Sequence, residues 1–154
     1  MKKYVVVAPH PDDELIGCYH LFRKKLVKKV LYYNLNRMSK ARQKEAVNFC
    51  KDMGVEYNIL TDSSISELSK TETYLIPFST DHHPEHKWIH SLFKHHFTNI
   101  GFYSIDMNND FVRELDEKDK TAKKRMLDTY FPSQKSLWKS DWKYWMFEGI
   151  VEEI

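Results

Sequence analysis

The sequence is as informative for what it lacks as for what it holds. It has only two cysteines in 154 residues. Cys18 and Cys50 make no disulfide framework, and each sits among apolar positions as a small core residue. No run approaches the ~20 apolar residues of a membrane helix. The opening MKKYVVVAP carries a short apolar run that leads straight into charged residues, with no small-residue cleavage site. A cytoplasmic protein without a membrane span is therefore expected. Charge imbalance is missing too. Twenty-four basic side chains face 22 acidic ones and leave a net charge of +2, which is too mild to argue for a nucleic-acid partner. There is no internal repeat and no low-complexity linker, so residues 1–154 read as one domain with room for a real core.

What is there alternates between strand-like and helix-like segments. Tyr4 to Ala8 is a continuous apolar run that suits a strand buried on both faces. Glu14 to Lys28 has helical spacing. Further strands are expected at Lys29–Leu35, Val55–Leu60, Thr73–Phe78 and Asn99–Met107. Between them, Ser39 caps a helix that Gly54 ends, and a histidine-rich loop and helix run to about Phe97. Two helices, about Glu117–Tyr130 and Gln134–Phe147, finish the chain. The order predicts an α/β fold, a Rossmann-like three-layer sandwich around a mainly parallel sheet of about five strands. Such sheets bind ligands beyond the carboxyl ends of their strands.

Two clusters fall at that edge. The first is PHPDDE, Pro9 to Glu14, just past the first strand. The second is DHHPEH, Asp81 to His86, just past the fourth. Six of the eight histidines lie between His82 and His96. Each cluster contains a His-Pro followed by an acid, and His83 and His86 stand about one helical turn apart. Imidazole nitrogens and carboxylate oxygens suit zinc, and a catalytic zinc takes three protein ligands while keeping one position open. His10, Asp13 and His86 can supply the three. Asp12 is then a spare carboxylate, a candidate general base, and His83 a spare imidazole for polarising a carbonyl or protonating a leaving amine. Two histidines with one carboxylate also suit ferrous iron. A plainer reading stands beside this one: Asp12 and Asp13 simply favour the positive end of the first helix. His82, His90, His95 and His96 are expected at the surface or behind the ligands.

The stretch APHPDDELIGC resembles the first signature of the PIG-L/LmbE-like zinc-dependent N-deacetylases, and DHHPEH resembles their second. ARQKEAVNFCKDMGV (Ala41 to Val55) and KRMLDTYFPSQ (Lys124 to Gln134) resemble two further segments, so the likeness spans Val5 to Gln134. The resemblance implies metal ligands at His10, Asp13 and His86, a general base at Asp12 and a catalytic histidine at His83. It also implies a substrate-side arginine at Arg42 and a supporting Glu14. Glu85 stands where the family usually has Asp. Tyr19 and His20 stand where it often has two glycines, which makes His20 a candidate substrate contact.

The implied activity is removal of an acetyl or other acyl group from an N-acylated amino sugar or sugar conjugate, with Zn2+ as cofactor. An acylated nucleoside or another small amide as substrate, or an inactive metal-containing binding module, is the alternative. The aromatic stretch LWKSDWKYWMF is expected to pack against the sheet or a second subunit, which leaves room for a homo-oligomer.

Overall fold

The computed structural model describes residues 2–79 and 81–151. Strand β1 (Tyr4–Ala8) is fully buried: Val6, Val7 and Ala8 have no exposed surface. The chain then passes through α1 (Asp13–Arg23), β2 (Val27–Tyr33), α2 (Lys40–Met53), β3 (Glu56–Leu60) and β4 (Tyr74–Pro77). It continues with α3 (Pro84–His96), β5 (Ile100–Tyr103), the two-residue β6 (Arg113–Glu114) and α4 (Glu117–Tyr130). The end is made of α5 (Lys135–Ser140), α6 (Lys143–Met146), β7 (Phe147–Glu148) and β8 (Ile150–Val151).

Five strands run parallel in the order β3-β2-β1-β4-β5, and β8 closes the β5 edge antiparallel. On one face α1, α2 and α4 bury Leu15, Phe49 and Leu127. On the other, α3 buries Ile89 and Phe93. This is the Rossmann-like three-layer α/β sandwich that the element order predicts.

Local chemistry explains most boundaries. The Ser39 side chain accepts from the Arg42 amide and starts α2, and Gly54, at φ 68, ends it in the left-handed conformation that glycine adopts freely. The Asp116 side chain accepts from the Asp119 amide and starts α4.

Two expected helices end earlier than their periodicity suggests. The first stops at Arg23 rather than Lys28, because Lys25 turns to φ 58 and the chain re-enters the sheet at Val27. The expected helix Gln134–Phe147 is broken at Asp141, whose backbone is extended, into α5 and α6. The chain then turns into β7, which pairs with β6 through Arg113 and Glu148.

Helix α1 is itself interrupted. Cys18 sits at φ −126 and ψ 29, outside the helical region. Around it, the two groups that an unbroken helix would pair with each other take side-chain partners from elsewhere. The Ile16 carbonyl accepts from Lys123 Nζ of α4 at 2.6 Å, and the His20 amide donates to Glu148 Oε2 of β7 at 3.0 Å. Gly17 beside the break lets the helix lie on β5: a Cβ there would come within 2.1 Å of Tyr103 Cδ2. The Tyr103 hydroxyl in turn donates to the Val7 carbonyl of β1.

Candidate metal centre

The carboxyl ends of β1 and β4 bring the two sequence clusters together. The imidazoles of His10, His83 and His86 each offer a nitrogen, and these nitrogens lie within 4.8 Å of one another. Ring centroids are 4.5 Å apart for His10 and His83 and 5.2 Å for His83 and His86. Asp13 lies against two of the three. Its Oδ2 lies 3.3 Å from His10 Nδ1 and 3.1 Å from His86 Nε2, and it accepts from the His10 amide at 3.0 Å. Three imidazoles and a buried carboxylate form a donor set that fits a dication such as zinc. His83 is the N-cap of α3, and its Nδ1 accepts from the Glu85 amide, while His86 points inward from the first turn.

The acids set the electrostatics. Burial works against charge on His86, but Asp13 and then Asp81 outweigh it and push its pKa up to about 10. Burial alone would raise Asp13, yet the His86 charge and hydrogen bonds from both imidazoles hold it well below the usual carboxylate range. His10 is raised: burial opposes this, but Asp13 and Glu85 prevail. His83 is lowered by burial and by its two imidazole neighbours. The carboxylates thus call for positive charge among the imidazoles, which protons or a metal ion can satisfy.

Asp12 does not cap α1 with its side chain. It occupies the N-cap position, but no side-chain cap bond forms, and the Asp12 amide is taken by Glu14 Oε1 at 2.7 Å. Asp12 is 2% exposed, its backbone is at φ 121, and its Oδ2 is buried with no hydrogen-bond partner among the described residues. Burial, then the charges of Asp13 and Glu14, push its pKa well above the usual range. Side chains rarely adopt that backbone conformation, and strain of this kind concentrates at functional sites. Glu14, fully buried, also accepts from the Tyr32 hydroxyl, and burial raises it to about 8.

These groups line a cleft of about 290 Å³. Its walls include Ile16, Arg42, Ile105, Asp106, Gln134, Leu137 and Tyr144. Arg42 Nη2 donates to the Pro11 carbonyl at 3.3 Å, while its Nε is buried without a partner among the described residues. Ser133 donates to Glu45 of α2 through both its amide and its hydroxyl, which fastens the turn bearing Gln134 beside Arg42. Two larger grooves, of about 490 and 480 Å³, run along the open edge at β3 and hold no histidine.

His20, expected to touch substrate, lies elsewhere. It lines a separate groove with Arg113, Asp119 and Glu148. Its Nδ1 is 2.8 Å from Glu148 Oε1 and its Nε2 is 3.3 Å from Asp119 Oδ2. Tyr19 is buried and donates to the same Asp119. Both side chains point away from the cleft because they follow the break in α1.

Glu14 also supports rather than lines the cleft, through Asp12 and Tyr32. Of the other histidines, His82 pairs with Asp106, and His90 and His96 sit beside the Pro77 and Leu92 carbonyls. Among the late aromatics, Trp138 is buried and donates to Asp128, Trp142 is 62% exposed, and Tyr144 reaches the cleft.

Sequence reasoning missed Glu85 as a neighbour of His10, whose Nε2 is 3.2 Å from Glu85 Oε1. It also missed Asp81, 1% exposed, beside His86, and Asp106 and Tyr144 as cleft walls. The acid that opens DHHPEH, directly after a buried strand, was the available signal for Asp81.

No protein-family model, no curated protein and no solved structure matches this chain. What fold and site define is a parallel α/β protein with a histidine–carboxylate cluster, able to bind a metal, at the carboxyl edge of its sheet.

Proposed function

We propose that this chain is a metal-dependent amide hydrolase that removes an acetyl or related acyl group from an N-acylated amino sugar or sugar conjugate. The observation that carries the reading is Asp12: a buried carboxylate oxygen without a partner among the described residues, on strained backbone, beside three converging imidazoles. A structural acid would be expected to be satisfied, whereas this one has an oxygen free to take a proton. The resemblance to PIG-L/LmbE-like N-deacetylases supports the same assignment.

His10, Asp13 and His86 would hold the metal, with His83 within reach of the same point. Zinc held there would supply a Lewis acid and acidify water near neutral pH. Asp12 accepts the proton of the attacking water as its oxygen bonds to the amide carbon. His83, exposed at the mouth and the least basic of the three imidazoles, donates to the charge that develops on the carbonyl oxygen. The C–N bond then breaks as the nitrogen receives a proton from Asp12 or His83, and a carboxylic acid and an amine leave. Arg42 and Gln134 orient the polar part of the substrate, and Ile16, Ile105 and Leu137 supply its apolar contacts. Glu14 fixes the Asp12 backbone.

The test is release of acetate from a panel of N-acetylated sugars and nucleosides, with and without added zinc. Wild type should turn over at least one sugar only when zinc is present. Asp12→Asn should keep its metal and lose turnover by about 10²–10⁴-fold. Full activity in that variant, or no release across the panel by a zinc-loaded chain, would refute the reading.

A further inference from the structure

We infer that Asp81 is a positioning residue for the metal centre, holding His86 in the one ring orientation and tautomer that turns Nε2 toward the metal. The inference rests on the metal-centre reading above. Asp81 sits between β4 and α3, and only 1% of its surface is exposed; His86 is equally enclosed at 3%. Asp81 Oδ2 lies 3.2 Å from His86 Nδ1, while His86 Nε2 faces Asp13 Oδ2 at 3.1 Å. When a cation takes the Nε2 lone pair, the remaining ring proton stays on Nδ1, and the Asp81 carboxylate there holds the ring in place. An imidazole that ligates a metal commonly donates its other N–H to such an acceptor.

Asp81 is itself held from several sides. Its amide donates to the Phe78 carbonyl at 3.2 Å, and its Oδ1 accepts from the Asp106 amide at 3.4 Å. Asp106 answers across the same gap: its Oδ2 accepts from the His82 amide and lies 2.7 Å from the His82 ring. The loops after β4 and β5 thus brace each other, and the brace ends on His86. Apart from Asp13, which His10 and His86 share, His10 and His83 have no buried acid against them among the described residues. His10 meets Glu85, whose side chain is 43% exposed, and His83 accepts only a backbone amide. His86 is therefore the ligand whose direction is set in advance, and Asp81 sets it.

A merely structural Asp81 would brace the loops without governing the ring. Two readouts separate the roles: zinc affinity by chelator competition, and the His86 tautomer from long-range ¹H–¹⁵N correlation of its ring nitrogens. Asp81→Ala should weaken zinc binding by about 10–100-fold and release His86 into mixed tautomers. Asp81→Asn keeps an oxygen that accepts from Nδ1–H, so it should hold the tautomer and recover most of the affinity. Unchanged zinc affinity in Asp81→Ala would overturn the inference, as would a zinc-loaded wild type in which His86 ligates through Nδ1 and keeps its proton on Nε2. If the alanine variant does not fold, the asparagine variant and the wild-type ring spectrum still decide. A wild-type chain that binds no zinc would bring down the metal-centre reading itself, a result the wild-type titration distinguishes from the failure of Asp81 alone.

Discussion

Of the histidines that stand between two carboxylates, two belong to clusters at opposite ends of α1. His86 lies between Asp13 and Asp81, and His20 between Asp119 and Glu148. The pairings look alike, but their surroundings differ. His86 is enclosed at the carboxyl edge of the sheet and shares its space with two more imidazoles and an unpartnered aspartate. His20 is 37% exposed in its side chain, stands alone as an imidazole, and joins α1 to α4 and β7. The first arrangement gathers three imidazole nitrogens within 4.8 Å and lines the same cleft with an Asp12 oxygen that has no partner among the described residues. The second uses up its polar groups on one another. An imidazole between two acids is therefore not in itself a site. The count of converging donors and the presence of an unsatisfied one make the difference.

The comparison breaks most sharply on metal content. On the proposed metal site, His86→Ala should reduce bound zinc from about one ion per chain to near none, because it would remove one of the three proposed ligands, whereas His20→Ala should leave it unchanged. Elemental analysis after dialysis measures both, and loss of zinc in the His20 variant would erase the distinction. The next effect concerns the helix that joins the clusters. Gly17→Ala drives a Cβ into the Tyr103 ring and should cost about 3 kcal/mol in urea unfolding, the upper range for overpacking. A cost below ~1 kcal/mol would mean that α1 is not seated as described.

Lys123, buried beside the fastening, gives a pH signature. Burial lowers its pKa from the ordinary 10.5 to about 8, with Glu148 and Cys18 opposing. Below pH 8 folded and unfolded chains both carry the charge, so the cost of burying it is fully present. Between pH 8 and 10.5 the unfolded chain binds more protons, so stability should rise with pH, by about 3 kcal/mol in all from this group. Lys123→Met should lack that rise, and parallel stability curves for variant and wild type would contradict the assignment. The smallest effect belongs to His20 itself: His20→Ala should lower stability by about 1 kcal/mol, as expected for half-exposed polar contacts, with turnover of the loaded chain unaltered.

How much of this was legible in the sequence varies by element. β1, the limits of α2 and the whole of α4 could be read directly, because a buried apolar run, a serine cap and a left-handed glycine are local signals. The pairing of PHPDDE with DHHPEH was legible from strand-end position alone. The break at Cys18 was not, since its cause lies more than a hundred residues away in Lys123 and Glu148. The two-residue strands β6, β7 and β8 carry no periodicity to read. His20 looked like a cleft residue because it stands where the resembling family often has a glycine, and only the break shows that it belongs to a different groove. Asp12 and Asp13 could not be separated by pattern either. The fold separates them by directing one carboxylate into the imidazoles and leaving the other with an oxygen to spare.

The interrupted helix has a consequence for motion. The amide of His20 is held by a carboxylate from the far end of the chain, so its exchange with solvent reports the lifting of that end rather than the fraying of α1. The first turn, which bears Asp13 and Glu14, is fixed separately by β1 and the imidazoles. The segment bearing β7 can therefore breathe on its own timescale while the aspartates stay in register, and the two halves of one helix would exchange at unrelated rates.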